Sequence, residues 1–489
     1  MSLTTSCLLR TEERNMTERL AIVILAAGKG TRMGGETAKV LRSSFNGPLL
    51  QEVMKSVVGL QPEKMVVVTG FQADEVEQSA RTYRDELIEE HGQEFTASLE
   101  FCIQSEQRGT GDAVKAALPA LDGFTGEVLI LCGDAPLLLE SSLVSLIHNH
   151  RAQDATLSLL TAHHSEPGSY GRILRCPDSG NLLGIREARD ASPVELAIQE
   201  VNSGVYVIDS AFLPGALSQL EPDNAQGEFY LTDIVGKAIE EGQKVVSSSC
   251  SSKELTGVNS FGDLQQVNAI QRERIIEEFT REGVLFLLPE GVVVSPKTKF
   301  GKGVQVGPST VIGPDVEIGD NVVIEGMSHI SNSVISAGAV IKWGCRIEGA
   351  EIGRDSAVGP FAHLRPGTQL GNEVKIGNFV EIKKSSLGNE TKASHLSYLG
   401  DATIGAGVNI GAGTITCNYD GYNKSVTVVG DGAFIGSNSS LVAPVEIGSG
   451  ATVGAGSTIT KHVSKDALAV TRADQREVSG WSKKRRERG

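Results

Sequence analysis

Residues 300–330 read FGKGVQVGPSTVIGPDVEIGDNVVIEGMSHI, and their apolar period is six. Phe300, Val306, Ile312, Ile318, Ile324 and Ile330 stand six apart, and each of the first four is followed by Gly. A helix repeats its apolar face every 3.6 residues and a flat strand every two, so neither element explains this spacing. A six-residue period held over many repeats is the mark of a parallel β-helix. Each repeat makes one side of a triangular coil with its apolar residue inside, and the glycine is expected to permit the turn. The phase resumes at Ile335, Ile341 and Ile347, then at Ile352, Val358, Leu364, Leu370, Ile376 and Ile382. It continues through Leu387, Ala393, Leu399, Ile404 and Ile410, and again through Val429, Ile435, Leu441, Ile447, Val453 and Ile459. With about 18 residues to a coil and coils stacked ~4.8 Å apart, residues 300–460 hold roughly nine coils. The phase breaks at 417–424, CNYDGYNK. That stretch is expected to be a loop thrown out of the coil, and loops on rigid scaffolds carry binding chemistry.

Upstream the pattern is different. Short Val/Ile/Leu runs at 20–25, 65–69, 99–103 and 128–132 alternate with helical patterns at 51–57, 73–83 and 111–118. Alternation of this kind predicts βαβ units and a parallel sheet, with ligands at the carboxyl ends of the strands. Between the halves, Leu264, Val267, Ile270, Ile275 and Ile276 fall at mostly helical spacing, which predicts a helical connector at 259–283. The domains expected are an N-terminal extension at 1–19, an α/β domain at 20–258, the connector, a β-helix domain at 284–470 and a tail at 471–489. Met16 is an alternative start, with 1–15 as an extension.

The 489 residues suggest two or three domains, and 40% hydrophobic content is ordinary for a soluble globular protein. Gly is 56 of 489 residues with only 16 Pro and 5% aromatics, which fits a repeat architecture with tight turns. A net charge of −15 argues against nucleic acid as a partner. The seven cysteines are odd in number and form no CxxC pair, which points to a reducing cytoplasm and away from a Cys-rich zinc site. No apolar stretch approaches 18 residues, and 1–15 lack the apolar core of a secretory signal, so no membrane association is expected. The basic run 483–486 reads as a solvated tail.

The first strand is followed by LAAGKGTRM at 25–33, with Lys39 beyond it. Gly28 and Gly30 let backbone N–H groups approach a phosphate, and Lys29 and Arg32 supply positive charge. The pattern is neither a Walker A loop nor GxGxxG. Gln104 precedes GTGDA at 109–113, and its amide offers both donor and acceptor to a uracil edge. CGDAP at 132–136 puts Asp134 at the end of an apolar strand, suited to Mg²⁺, which takes oxygen ligands and keeps waters. YGRI at 170–173, Glu187, Asn202, NAQGEFYLTD at 224–233 and GVN at 257–259 complete the set.

With these motifs, residues 20–470 resemble the family of bifunctional N-acetylglucosamine-1-phosphate uridylyltransferase/glucosamine-1-phosphate acetyltransferases. The resemblance implies a Rossmann-like nucleotidyltransferase of mixed, mostly parallel sheet, joined by the helical connector to a left-handed parallel β-helix of hexapeptide repeats. It implies that Leu25, Ala26, Ala27, Gly28, Lys39, Gln104, Gly109, Thr110, Cys132, Gly133 and Asp134 bind UTP or the nucleotide sugar. Gly171, Glu187 and Asn202 serve its sugar side, and Asp134 and Asn259 hold Mg²⁺. Arg32 and Lys39 are expected to offset phosphate charge during in-line attack on the α-phosphorus. Two positions depart from the family: Cys132 stands where Tyr is frequent, and Ala38 where Pro commonly precedes the lysine. Neither removes a charged or metal-binding group.

In the β-helix the side chains decide between catalyst and structural appendage. Acetyl transfer to an amine needs a base, and His395, with an ordinary pKa near ~6.5, suits that task. Arg365 and Lys383 are suited to a sugar phosphate. Glu381 is expected to orient the amine or the base. By resemblance Tyr398, Asn409 and Lys424 position the hexosamine, and Ala412, Asn418, Tyr419, Ser437, Ala455 and Arg472 bind acetyl-CoA. Asn418 and Ser437 are candidate oxyanion donors. Direct transfer without an acyl-enzyme, and a homotrimer with sites between subunits, also come from the family. The alternative is a monofunctional sugar-1-phosphate nucleotidyltransferase with a structural β-helix.

Overall fold

The computed structural model describes residues 19–91 and 97–488. The chain divides into two compact units, Met1–Gln271 and Arg272–Gly489. The expected extension at 1–19 lies outside the described residues except for Arg19.

In the first unit the strands β1 (Leu20–Leu25), β2 (Lys64–Thr69), β3 (Ser98–Ile103) and β4 (Glu127–Cys132) are mutually parallel. They are followed by β5 (Leu157–His163), β6 (Arg172–Arg175), β7 (Leu182–Arg186), β8 (Glu200–Asp209) and β9 (Val245–Ser249). The sheet runs β3-β2-β1-β4-β8-β5-β9, with β8 antiparallel to both β4 and β5 and with β6 and β7 forming a hairpin against it. The expected mixed, mostly parallel sheet is observed. Alternate residues of β1 serve two cores: Ile22 and Ile24 on one face, Ala21 and Val23 on the other. Burial on both faces is why these strands read as unbroken apolar runs.

The helix Phe261–Arg281 is observed where its periodicity predicted it, and the boundary between the units falls inside it. Val267 and Ile270 pack with Met33, Leu49, Leu137 and Val258 of the first unit. Ile275, Ile276 and Phe279 are buried, and the Phe279 ring meets Phe300 edge-on at 4.9 Å in the second unit. Each half of the helix is thus part of a core rather than a free spacer.

The second unit is a parallel β-helix whose three faces are sheets of 11, 10 and 9 strands. The coil opens earlier than the clear hexapeptide phase, with strands at Leu285–Phe286 and Val293–Val294, and its last strand is Leu468–Ala469. Between these first two strands Pro289–Gly291 forms a 3₁₀ turn that breaks the six-residue phase. The glycines act differently from expectation. Gly301, Gly307, Gly313 and Gly319 do not themselves take the left-handed backbone. That conformation falls two residues later, at Gly303, Ser309, Asp315 and Asn321. The glycines instead allow coils to stack: a Cβ at Gly307 would lie 1.8 Å from the Glu325 carbonyl, and one at Gly319 would lie 2.6 Å from the Ala337 nitrogen. The loop at 417–424 is confirmed by register. Ala402 pairs with Thr427, a step of 25 residues, where Phe300 to Ile318 is a step of 18.

Candidate active sites

In the first unit the motif residues gather at the carboxyl ends of β1 and β4. β1 and β4 are neighbours in register, with Leu25 opposite Cys132. The loop after each strand therefore emerges at the same edge, and the Gly133 N–H donates to the Leu25 carbonyl at 2.9 Å. The turn Thr31–Met33 follows, and Lys39 returns across it. Gly30 has φ +66°, and a Cβ there would meet Lys39 Cβ at 2.8 Å. Glycine is therefore required for both conformation and close approach. The Lys39 ammonium contacts the Asp134 carboxylate and lies 3.0 Å from Asn259 Oδ1. Residues 39, 134 and 259, far apart in sequence, thus share one point.

Asn259 is fixed there by the start of the helix at 261. Asp263 accepts from the Asn259 and Ser260 N–H groups at 2.9 and 2.8 Å, and Ser260 Oγ accepts from the Asp263 N–H. Ser260 and Asp263 thus cap the start of the helix reciprocally. The Val258 N–H donates to the Asp134 carbonyl at 2.9 Å, which locks the two segments together.

Gln104 is buried at the end of β3 and donates to the Gly109 carbonyl and to Asp112 Oδ2. Thr110 Oγ1 accepts from the Leu231 N–H at 3.1 Å, so the 224–233 motif closes on this loop. Gln107 was not singled out by sequence, yet it donates to the Ala27 carbonyl at 2.6 Å and braces the glycine-rich loop. Gln72, also missed, accepts from the Ala38 N–H at 2.6 Å. Lone glutamines carry no spacing signal that would have marked them. Ala26 and Ala27 are buried, whereas Gly28 is exposed. Arg32 is exposed and makes no hydrogen bond or ion pair among the described residues, so it does not join the Lys39 cluster.

Glu187, Gly171 and Asn202 form a second group. A Cβ on Gly171 would lie 3.5 Å from Glu187 Oε1, and the Asn202 N–H donates to the Gly171 carbonyl at 2.9 Å. The Asn202 amide is itself held by Tyr206 at 2.7 Å. Burial pushes the Glu187 carboxyl above its usual range, partly offset by the hydroxyl that Thr232 donates to it at 3.0 Å. Burial also pushes the Cys132 thiol up to about 12, helped by the nearby Asp134 charge, so it is a neutral wall of the site.

In the second unit, stacking converts sequence spacings of 17, 18 and 25 into vertical columns. The strands Lys392–His395, Asn409–Ile410, Phe434–Ile435, Thr452–Val453 and Leu468–Ala469 succeed one another on one face. At the corner they share, the Gly413 N–H donates to the His395 carbonyl and the Asn438 N–H to that of Ala412. The Gly456 N–H donates to the carbonyl of Ser437, and Arg472 donates to that of Ala455 at 2.5 Å. His395, Ala412, Ser437, Ala455 and Arg472 therefore climb one edge over four coil steps, about 19 Å at ~4.8 Å per coil.

Round the corner, the neighbouring face carries Arg365, Lys383 and Tyr398 on consecutive coils. Lys383 pairs in register with Gly400, where a Cβ would strike the Tyr398 phenol oxygen at 2.4 Å. Gly400 is what lets that ring lie flat.

Glu381 does not turn to the base. It is held by Arg365 at 2.8 Å, a cation on the preceding coil of the same face. The group behind His395 is Asn378, whose Oδ1 lies 2.8 Å from Nδ1. On the extruded loop Asn418 is buried, and one of its amide N–H groups contacts Asp401, which leaves exposed Ser437 as the more open donor. Tyr419 and Lys424 bridge each other across the loop. Lys424 has no hydrogen bond or ion pair to Arg365, Lys383 or Tyr398 among the described residues, so this chain does not bring it into their group. The described residues contain no group of three or more His, Cys, Asp or Glu that would hold a metal without substrate.

Comparison with known proteins agrees with this anatomy. The Nucleotidyl transferase family model matches residues 21–254, and the hexapeptide transferase model, six repeats, matches 427–461. The GMPPB C-terminal domain model matches 293–387. "Bifunctional protein GlmU" of Idiomarina loihiensis is 44% identical over 472 residues, covering 96% of this chain and 100% of that one. The same-named proteins of Exiguobacterium sp. and Pelobacter propionicus are 43% and 42% identical, over 96% and 95% of this chain and 100% and 98% of their own. The chain belongs to the GlmU family. As in that bifunctional family, it is a transferase with a nucleotidyltransferase unit and a hexapeptide transferase unit, the latter a left-handed β-helix. A Bacillus anthracis structure assigned as a glucose-1-phosphate thymidylyltransferase, in complex with sucrose, is 19% identical and covers 52% of this chain and 96% of its own, with a TM-score of 0.41. No helix among the described residues is long and apolar enough to cross a membrane.

Proposed function

We propose that the second unit acetylates glucosamine-1-phosphate with acetyl-CoA and that the first unit transfers UMP from UTP to the N-acetylated product, yielding UDP-N-acetylglucosamine and pyrophosphate. The observation that carries this reading is the His395-to-Arg472 column beside Arg365, Lys383 and Tyr398. A β-helix serving only as an appendage has no need for a base and a pair of anion-binding cations at one corner. The monofunctional alternative leaves that cluster without a purpose.

In acetyl transfer, Arg365 and Lys383 hold the sugar phosphate and Tyr398 packs on the hexosamine. His395 Nε2 takes a proton from the amine as its nitrogen attacks the thioester carbonyl. The oxyanion is met by the Ser437 region, the carbon–sulfur bond breaks, and the leaving CoA sulfur takes the proton back from His395. The pantetheine arm lies along Ala412, Ser437 and Ala455, with Arg472 at the far end. Transfer is direct, and no acyl-enzyme on Cys417 is needed. Tyr419 and Lys424 act across a trimer interface, where sites are completed by neighbouring subunits.

In uridylyl transfer, Gln104 and the loops at 25–28 and 109–110 hold the nucleotide, while Gly171, Glu187 and Asn202 hold the sugar. A sugar-phosphate oxygen attacks the α-phosphorus in line and pyrophosphate leaves. Lys39 offsets the phosphate charge, and Arg32, exposed and unpaired among the described residues, is free to join it when phosphate binds. The Asp134 and Asn259 oxygens, both turned to one cation, suit Mg²⁺, which binds few protein oxygens and completes its shell with water and phosphate. When bound, the ion neutralises developing phosphate charge.

The deciding assay follows CoA and pyrophosphate release with glucosamine-1-phosphate, acetyl-CoA, UTP and Mg²⁺ together. Both products are expected, and omission of acetyl-CoA is expected to stop pyrophosphate release. Rapid pyrophosphate release without acetyl-CoA, and no CoA release with it, favours the monofunctional reading.

A further inference from the structure

The contact behind His395 gives Asn378 a place in the acetyltransferase site. Asn378 ends the strand Lys375–Asn378, His395 ends the strand Lys392–His395 on the next coil, and the two residues are partners in the parallel register. Stacking by one coil places side chains of such partners directly over one another. Asn378 is half-buried and His395 exposed, so the inner ring nitrogen meets the amide and the outer one faces the groove.

We infer that Asn378 is the positioning residue of the acetyltransferase base: its side-chain oxygen receives the Nδ1 proton of His395, which leaves Nε2 unprotonated to accept the proton of the attacking amine. The inference rests on the reading of His395 as base.

The choice of an amide has a chemical consequence. A carboxylate behind the ring fixes the same tautomer but also stabilises the imidazolium, raising its pKa. A neutral amide orients the ring without placing a charge beside it. The surroundings do not supply the missing carboxylate. Lys392 lies on the ring's own strand and Lys375 on the strand before it, while Asn409–Ile410 on the strand after it has no charged residue. Across the corner stand Lys383, Tyr398 and Glu381, and Glu381 is paired with Arg365. Among the described residues no carboxylate is in ion-pair range of His395.

The test uses the full-length protein with Asn378→Ala and Asn378→Asp, each checked by circular dichroism for an intact coil and for unchanged uridylyl transfer. Acetyl-transfer kcat is expected to fall about 3- to 10-fold in Asn378→Ala, the worth of one orienting hydrogen bond. It is expected to recover at high pH in Asn378→Asp. NMR of ¹³Cε1-histidine-labelled protein, with His395 assigned by its loss in His395→Gln, reads the ring directly. The His395 pKa is expected to rise by roughly one unit or more in Asn378→Asp. Nitrogen shifts are expected to report the Nδ1–H tautomer in the native protein. Wild-type kcat and pH profile in both variants overturns the inference, as does an Nε2–H tautomer or an unmoved ring pKa in Asn378→Asp. Wild-type kcat in His395→Ala refutes the base itself, a separate failure, because the NMR titration tests the Asn378 contact whether or not His395 is catalytic.

Discussion

Lys39→Met should bind a divalent metal more tightly and turn over more slowly. In the free protein the Lys39 ammonium sits between the Asp134 carboxylate and the Asn259 carbonyl oxygen, the same oxygens proposed for Mg²⁺. The lysine and aspartate side chains are only 15% and 18% exposed, so solvent screens the pair weakly. Two unit charges at ~4 Å in an effective dielectric of about 20 interact by roughly 4 kcal/mol. Fully exposed pairs are worth about 0–1 kcal/mol. After the freed ammonium regains water, about 1–2 kcal/mol is a fair net cost for displacing it, which corresponds to roughly 5- to 30-fold in Kd. Methionine keeps the length of the stem and removes the charge. Mn²⁺ titration of the protein without nucleotide, read by electron paramagnetic resonance, should therefore show tighter binding by about that factor. Pyrophosphate release at saturating metal should meanwhile fall by about 10²-fold or more, because a phosphate-neutralising cation is gone. Unchanged or weaker Mn²⁺ binding refutes the shared-oxygen argument, whatever happens to the rate.

Asp134→Ala should abolish uridylyl transfer while leaving acetyl transfer near wild type, measured as pyrophosphate and CoA release on the same preparation. His395→Ala should lower acetyl-transfer kcat by about 10²–10⁴-fold from pH 6 to 9 with little change in sugar KM, whereas Arg365→Ala should chiefly raise that KM. Gly400→Ala should also raise the sugar KM, since its Cβ displaces the Tyr398 ring, and circular dichroism should show the coil intact. Glu187→Gln should stabilise the first unit at neutral pH. Burial raises the Glu187 pKa, so native stability linked to that group is full below its unfolded value near 4.5 and is lost as pH rises through the folded value. Calorimetry should show a larger Tm gain at pH 8 than at pH 5, and an equal gain at both would contradict this.

Sequence legibility followed the range of the interactions. Period six announced the β-helix, and alternating apolar runs announced the sheet, because burial imposes a short repeat on the chain itself. The helix at 261–281 was equally plain, as was the loop at 417–424, where the phase fails. Motif residues at strand ends were recognisable because β1 and β4 are neighbours in register and must deliver Leu25 and Cys132 to one edge.

What only the tertiary structure decided were contacts between residues with no common period. That Lys39, Asp134 and Asn259 share a point depends on how three loops close over the sheet. That Arg365 takes Glu381 and leaves Asn378 behind His395 depends on which side chains a coil rise brings into line. The role of the hexapeptide glycines was misread for the same reason. Their spacing is visible along the chain, but the carbonyl that excludes a Cβ at Gly307 belongs to the next coil. A pattern along the sequence records which face a residue presents; which atom it meets there is set by chain that arrives from elsewhere.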